Sequence, residues 1–156
     1  MSSIIAFDPG VDGAFAVLDM FGRYLTSGEL PRFDKGLNAV AIVELMAEIN
    51  PAVVVIERVA SRPGQGVVAM FTFGQAYGTL IGIAAGSLVP LTLVTPNRWK
   101  SHFRLNGKPK DASRELAIRL YPAASKDLTL KKHHGRADTI LLARFVLDTQ
   151  NRKSFV

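Results

Sequence analysis

The stretch SIIAFDPGVDGAFAVLDMFGRYLTSGEL, residues 3–30, decides the first half of the fold. It contains three short runs rich in β-branched and aromatic residues, at 3–8, 13–19 and 23–30. The turn-forming sequences PGVD and MFG separate these runs, and short turns of this kind join antiparallel neighbours. The stretch therefore predicts a three-stranded antiparallel meander.

Two further strands are predicted beyond the meander. Residues 52–56 read AVVVI and are apolar at every position, as in a strand that is buried on both faces. Residues 90–94 read PLTLV and form the second candidate strand. Because parallel strands are joined by crossover helices, both are expected to extend the meander into one mixed sheet.

Helices are predicted between and after these strands. Apolar residues at helical spacing indicate one over 37–49, and three more are predicted over about 67–86, 111–120 and 136–148. The order β-β-β-α-β-α-β-α-α predicts an α/β protein with a five-stranded mixed sheet flanked by helices, which is the order of the ribonuclease H-like fold. A chain of 156 residues has room for one such domain, expected to span residues 1–156.

The composition excludes several kinds of site. The chain has no cysteine, which rules out disulfide frameworks, thiolate metal sites and cysteine nucleophiles, so any metal must bind oxygen or imidazole. Its 19 Lys and Arg residues against 13 Asp and Glu residues give a net charge of +6. A positive field of this size favours a polyanionic partner such as nucleic acid.

The uncharged segment in the middle of the chain has two interpretations. No charged residue occurs between Pro63 and Asn97, and the 67–89 segment is long enough for a transmembrane helix. Gln75 and four glycines at a spacing of four favour instead a buried helix followed by a buried strand, so no membrane association is expected. The N-terminal sequence MSSIIAFDPG lacks the features of a secretory signal, and we expect a cytoplasmic protein.

Two carboxylates close predicted strands. Asp8 ends the first strand in FDPGVDG, where it is placed either to hold a ligand or to cap its own turn. Glu57 ends the apolar strand 52–56, where desolvation of its charge is costly unless a cation or hydrogen-bond donors meet it. A solvated strand end is the alternative for Glu57.

A third acid and two histidines lie at the last predicted helix. Asp138 starts the otherwise apolar sequence ADTILLARFVL, as a candidate ligand or as a first-turn acid that interacts with the helix dipole. His134 lies one helical turn earlier and shares the face of Asp138 if the helix begins by then, whereas His133 is the less favoured neighbour. Both histidines are alternatively surface residues of a basic loop.

Three carboxylates at strand ends and at a helix start form the kind of cluster that binds Mg²⁺ together with substrate phosphates. Such clusters hold two ions roughly 3.5 to 4 Å apart, one activating water and the other stabilising the leaving oxygen. Eleven Lys or Arg residues between Thr95 and Arg136, against three acids, would neutralise a phosphate backbone beside the cluster.

Five motifs in this order resemble the RuvC-type Holliday junction resolvases, most closely their phage-associated branch, over nearly the whole chain. They are FDPGVDG with Asp8, VVVIERV with Glu57, RPGQGVVAMFTFGQAYGTLIGI, VPLTLVTPNRWK, and HHGRADTILLA with Asp138. The resemblance implies a ribonuclease H-like endonuclease, acting as a homodimer with Mg²⁺ or Mn²⁺, that cuts four-way DNA junctions by paired symmetric nicks. It also implies that these three carboxylates bind metal.

Two positions depart from the family pattern. Many members carry an acidic or histidine ligand three residues before the last aspartate, where this chain has Gly135, and we assign that role to His134 by helical reach. Some members carry an aromatic residue shortly after the glutamate that stacks at the junction centre, where this chain has Val59 and Ala60. A base wedge is therefore not implied here.

Candidate DNA contacts surround the motifs. Arg62 and Gln65 flank glycines in the loop 61–66, which would lie against a DNA strand or be an ordinary surface loop. The other candidates are basic residues expected to contact phosphates: Arg98, Lys100, Lys131, Lys132 and Arg136.

A glycine stripe marks the candidate dimer interface. Glycines 74, 78, 82 and 86 share one face of the helix 67–86, where another backbone can approach closely. We expect a homodimer whose interface includes this helix or its neighbours, since two-fold symmetric sites fit paired nicks. Packing of the stripe on its own sheet is the alternative.

Other functions use parts of the same pattern. A phosphotransferase of the actin or sugar-kinase type shares an early acidic glycine turn, but its duplicated domain does not fit in 156 residues. A ribonuclease H-like or flap nuclease would use the same acids, and a non-cleaving nucleic-acid binding protein of this fold would not need all three. The sequence leaves these last two functions open.

Overall fold

The computed structural model describes residues 2–10 and 12–153, with side chains to residue 150, and contains one main sheet and one small hairpin. The strands are β1 (Ser3–Asp8), β2 (Ala14–Asp19), β3 (Tyr24–Glu29), β4 (Arg32–Phe33), β5 (Gly36–Leu37), β6 (Val53–Glu57) and β7 (Leu91–Val94). The α-helices are α1 (Ala39–Ile49), α2 (Val67–Gly86), α3 (Pro96–His102), α4 (Asp111–Leu120) and α5 (His134–Lys153). Two short 3-10 helices, Pro122–Asp127 and Lys131–His133, connect α4 to α5.

The main sheet has the strand order β3-β2-β1-β6-β7. β1 pairs antiparallel with β2, and β2 with β3, so the predicted meander is confirmed. β6 pairs parallel with β1, and β7 pairs parallel with β6. The sheet is therefore five-stranded and mixed, and β4 pairs only with β5 in a separate hairpin that sequence patterns did not reveal.

Alternation along β1 distributes the core between the two faces of the sheet. Ile4 and Ala6 point to the face covered by α4 and α5, whereas Ile5 and Phe7 point to the face covered by α1 and α2. All four side chains are at most 1% exposed. Asp8 has the parity of Ile4 and Ala6, and therefore faces α5.

Helix α2 has the predicted bounds but is not the buried helix that its composition indicated. Only Leu80 and Ala84 are buried, and the helix is the one described segment whose length and hydropathy would suffice to cross a membrane. Val67 is 85% exposed and Phe71 is 67% exposed. The expectation failed because hydropathy reports how apolar a helix is, not whether its own chain covers it.

The glycines of α2 point away from the sheet. A Cβ built at positions 74, 78, 82 or 86 would meet no atom within 4 Å among the described residues. Packing on its own sheet therefore does not explain this stripe. The face that carries it is left uncovered by the rest of the described chain.

The short helical segments were not predicted from the sequence, and α5 and α1 begin at residues other than the predicted ones. Helix α3 has seven residues and begins at Pro96, whose fixed φ suits a first helical position. The second 3-10 helix runs directly into α5, which begins at His134 rather than at the predicted residue 136. Helix α1 begins at Ala39 rather than at 37, because the side chain of Asn38 accepts a hydrogen bond from the Ala41 N–H.

Candidate active site

Asp8 and Glu57 end neighbouring parallel strands. Phe7 pairs in register with Ile56, so the next residue on each strand, Asp8 and Glu57, lies at the same edge of the sheet. Glu57 has the parity of Val55, which packs in the core on the α5 side. Both carboxylates therefore project toward the face where α5 brings Asp138.

The carboxylate of Asp8 shapes the turn that follows it. Its Oδ1 accepts a hydrogen bond of 2.9 Å from the Gly10 N–H, and a Cβ at position 10 would lie 3.1 Å from the same oxygen. Oδ1 of Asp8 therefore caps the turn, as the sequence had suggested as one of two roles for this residue. Burial raises the pKa of Asp8, against the opposing effects of the Gly10 hydrogen bond and the charges of His134 and Lys100.

Glu57 is desolvated and has one donor. Its Oε2 accepts a hydrogen bond of 2.7 Å from the indole Nε1 of Trp99. Burial, and then the neighbouring charge of Asp8, raise the pKa of Glu57 to about 7. The charged form is therefore short of stabilising partners, which is the electrostatic condition of a carboxylate that awaits a cation.

Asp138 completes the acidic group from the second turn of α5. Its Oδ1 is buried and has no hydrogen-bond partner in the described part of the chain. Burial raises the pKa of Asp138 to about 6, Asp8 adds to the rise, and Ser113, Lys100 and His134 oppose it. Asp138 therefore does not serve only as a first-turn acid near the helix dipole.

His134 and Lys100 share one cavity with two of these acids. The cavity, of about 350 Å³, is lined by Asp8, Asp138, Lys100 and His134 together with the loop 105–110. The helix α5 begins at His134, as the helical-reach assignment required. His133 points elsewhere: it is 9% exposed, and its Nδ1 accepts a hydrogen bond from the Leu130 N–H.

Gly135 lies against the first turn of the sheet. A Cβ at position 135 would be 3.1 Å from the carbonyl oxygen of Asp12 and 4.0 Å from Oδ2 of Asp8. A side chain there would be in tight contact with the backbone of the turn between β1 and β2. His134 is consequently the residue at this helix start that has room to face the acids.

The donor set fits a divalent cation, although the donors do not yet converge. Among residues 2–10 and 12–153, no three His, Asp or Glu side chains are close enough to hold an ion as they stand. The orphaned Oδ1 of Asp138 and the raised pKa values of all three carboxyls indicate a lack of positive charge. Oxygen and imidazole donors of this kind suit Mg²⁺ or Mn²⁺.

Basic and polar residues extend from the acids in two directions. Lys108 and Lys110 line the cavity that contains Asp8 and Asp138. A second cavity of about 670 Å³ contains Asp8 and Glu57 together with Arg62, Gln65 and Lys110. Asp8 and Lys110 are common to both, so the two cavities are neighbours. Sequence reasoning missed Lys108 and Lys110 as site residues, and their position in the basic stretch KPKD was the available signal.

The remaining predicted DNA contacts do not line these two cavities. Arg98 lies 5.6 Å from the centroid of the Phe145 ring, and Lys131 is exposed. Lys132 and Arg136 line a separate cavity of about 440 Å³ beside the turn between β1 and β2. Arg136 also donates to the carbonyl of Asp127 and pairs with Glu29, so its guanidinium is already engaged within the protein.

The five-stranded mixed sheet flanked by helices has the ribonuclease H-like fold that solved RuvC structures share. No family model matches the chain. A curated relative, the chloroplastic Holliday junction resolvase MOC1 of Chlamydomonas reinhardtii, is 38% identical over 86 residues, which are 54% of this chain. The aligned segment spans only 10% of that relative's length.

Solved structures extend the similarity to nearly the whole chain. The RuvC of T. thermophilus in complex with a Holliday junction substrate matches with a TM-score of 0.66 and 16% identity, over 97% of this chain and 96% of that one. The Fowlpox virus resolvase in complex with substrate Holliday junction DNA matches with a TM-score of 0.61 and 15% identity, over 95% of this chain and 98% of that one. The yeast mitochondrial Holliday junction resolvase Ydc2 matches with a TM-score of 0.60 and 14% identity, over 99% of this chain and 86% of that one. The resemblance drawn from the motifs is thereby confirmed, and the fold is that of these resolvases.

Proposed function

We propose that this protein is a metal-dependent endonuclease that resolves four-way DNA junctions by paired nicks. The observation that carries the proposal is the group of three desolvated carboxylates, Asp8, Glu57 and Asp138, each with a raised pKa and framed by lysines. The similarity to proteins named as Holliday junction resolvases supports four-way junctions as the substrate.

The proposed ligands are Asp8, Glu57, Asp138 and His134. The cofactor is Mg²⁺ or Mn²⁺, with two ions for each cluster, because four donors exceed what one ion that keeps most of its waters requires. When bound, such ions lower the pKa of a coordinated water and stabilise the leaving oxygen of the phosphodiester. The contribution of the protein residues is to bring the acids together at one sheet edge.

Lysines and arginines of the two cavities would hold the DNA backbone beside the acids. Lys100 faces the acids closely enough to oppose the rise in pKa of all three. Lys108, Lys110 and Arg62 continue the positive surface to either side of Asp8. Phosphates bound at these positions would bring the scissile bond over the carboxylates. Because such binding releases counter-ions from the DNA, the affinity for DNA would fall as the salt concentration rises.

The uncovered face of α2 supports a homodimer. Its exposed side chains Val67, Val68 and Phe71 are apolar, no charge occurs between Pro63 and Asn97, and a polyanion would gain nothing from such a surface. The glycine stripe would let an identical helix approach at close range. A membrane is the poorer occupant, because Leu80 and Ala84 anchor the opposite side of α2 in the core.

The direct test is to compare labelled four-way, three-way, flap, RNA–DNA hybrid and linear substrates, with Mg²⁺ and with Mn²⁺. We expect selective cutting of the four-way junction at symmetric positions on opposite strands. Preferred cutting of hybrids or flaps would replace the proposal by a ribonuclease H-like or flap nuclease. Tight junction binding without cutting in either metal would indicate a non-cleaving binding protein.

A further inference from the structure

Trp99 is the only tryptophan of the chain and lies in the floor of the candidate site. Its side chain is fully buried, within the core cluster formed by the sheet, α4 and α5. Close packing on all sides restricts such a ring to one orientation. Trp99 is therefore a fixed part of the scaffold rather than a mobile surface ring.

The buried indole has one polar atom, and that atom is directed at a proposed metal ligand. An indole N–H is a donor only, and a buried tryptophan generally finds an acceptor for it. Here the acceptor is Oε2 of Glu57, at 2.7 Å, the short end of the range for N–H···O bonds. Glu57 also lines the open cavity of about 670 Å³ beside Asp8.

The connection between β7 and α3 places the ring there. β7 runs parallel to β6, with Val94 paired to Glu57, and α3 begins two residues later. One helical turn then brings Trp99 back beneath the end of β6. The next residue, Lys100, holds its Nζ 5.4 Å from the centroid of the indole ring, so the same ring also faces a cation that lines the cavity of Asp8 and Asp138.

We propose that Trp99 is a positioning residue, whose indole N–H holds one oxygen of Glu57 so that the other oxygen is presented to the metal. The inference rests on the proposed function, since it concerns the ligand role of Glu57. Hydrogen bonds of this kind orient metal ligands in many proteins, and their loss costs about 10- to 100-fold in metal affinity or activity. The donor of this hydrogen bond is the side chain of a fully buried tryptophan.

The cleanest test removes the N–H without changing the shape of the ring. Because the chain has a single tryptophan, a tryptophan auxotroph supplied with benzothienylalanine replaces only residue 99, with sulfur in place of the N–H. Mn²⁺ binding is measured by electron paramagnetic resonance, and junction cleavage is measured in parallel. We expect Mn²⁺ affinity to fall by about 10-fold or more, with an unchanged circular dichroism spectrum and melting temperature.

A double-mutant cycle separates positioning from a structural role. Trp99→Phe is expected to weaken Mn²⁺ binding in the wild-type background and to add no further loss in the Glu57→Gln background. Phe145→Leu is the matched control, since it truncates a buried aromatic residue of the same core whose ring contacts are with His102 and Arg98. It should lower the melting temperature but leave Mn²⁺ affinity within about twofold.

The outcomes distinguish this inference from the proposed function. If the benzothienylalanine protein binds Mn²⁺ as the wild type does, Trp99 does not position Glu57, and the nuclease proposal stands. Equal losses caused by Trp99→Phe with and without Glu57 would likewise overturn positioning. If Glu57→Gln leaves Mn²⁺ binding unchanged, Glu57 is not a ligand, and that part of both proposals fails.

Discussion

His133 and His134 are adjacent in the chain but occupy opposite environments. His133 is buried and its ring accepts a hydrogen bond from the Leu130 N–H, whereas His134 lines a cavity with Asp8 and Asp138. Burial and nearby positive charges lower the pKa of His133, which suits a neutral acceptor. The start of α5 at His134 creates this division, because it turns successive side chains by about 100°.

The two histidines should therefore respond differently to alanine substitution. We expect His134→Ala to slow junction cleavage by about 10- to 100-fold, through loss of a metal ligand or an outer contact. His133→Ala should instead lower stability by about 1 to 2 kcal/mol, because it leaves the Leu130 N–H unpaired, with little effect on the rate. The measurements are single-turnover cleavage and thermal denaturation. A reversed order would refute the helical-reach assignment, and two unchanged rates would leave the metals on carboxylates alone.

Each carboxylate should be required for cutting but not for binding. We expect Asp8→Asn, Glu57→Gln and Asp138→Asn to abolish cleavage, since loss of a ligand stops water activation. Binding to a labelled four-way junction should persist, because the basic residues still neutralise phosphates. Gel-shift and cleavage assays on the same samples test this, with circular dichroism as the folding control. Full activity in any one variant removes that residue from the site.

The stability of the metal-free protein should fall as the pH rises through neutrality. The pKa of Glu57 is raised to about 7 and that of Asp138 to about 6, so folding favours the protonated forms. Their stabilising contribution is complete below the unfolded pKa values and is lost as the pH rises through the folded ones. We expect a loss on the order of 1–3 kcal/mol between pH 5 and pH 8.

Mg²⁺ and one substitution provide the controls for this pH effect. Addition of Mg²⁺ at pH 8 should restore the melting temperature, because the bound cation stabilises the charged carboxylates. Glu57→Gln should be more stable than the wild type at pH 8 without metal, whereas the exposed Glu44→Gln should not. A melting temperature independent of pH from 5 to 8 would contradict the electrostatic description of the site.

Substitution in the glycine stripe should separate assembly from folding. Position 78 has no neighbouring atom within 4 Å of a built Cβ, so Gly78→Leu should fold. We expect the wild type to be a dimer in sedimentation velocity and the variant to be a monomer that makes uncoupled nicks in place of paired ones. Global unfolding of the variant, or a wild-type monomer that still makes paired nicks, would oppose the dimer. Flotation of the wild type with lipid vesicles would assign this face to a membrane.

The lysines of the loop before α4 should contribute to DNA binding through phosphate contacts. Lys108→Gln and Lys110→Gln should each weaken junction binding and reduce the slope of log affinity against log salt by about 1. Lys126→Gln is the matched control, since Lys126 is exposed and lines neither cavity of the site. Fluorescence anisotropy at salt concentrations from about 50 to 200 mM measures both the affinity for the junction and its dependence on salt. Equal slopes in all three variants would place the DNA elsewhere.

Local patterns in the sequence were sufficient for most of the fold. The β-rich and fully apolar runs predicted β1, β2, β3, β6 and β7, and the helices α2 and α4 were predicted at about their observed bounds. These signals succeed because the residues of one strand or helix experience the same environment at a fixed period. The hairpin of β4 and β5 and the seven-residue α3 escaped detection, since two to seven residues carry no measurable period.

The motifs also named the candidate acids before any geometry was known. Asp8 and Glu57 stand out because each ends an apolar strand, and Asp138 stands out because it interrupts an apolar helix. Order along parallel strands then implies a common edge, as the pairing of β1 with β6 bears out. The sequence by itself therefore determined the strands of the main sheet and its acidic edge.

Only the tertiary structure decided which groups meet at that edge and which surfaces stay uncovered. The bond between Trp99 and Glu57 joins residues 42 positions apart, and no local period reports such a contact. The exposure of α2 likewise depends on how many other elements pack against it, which its own hydropathy does not encode. Burial and partner choice are properties of the packed assembly of elements, because each side chain's surroundings come mainly from distant parts of the chain.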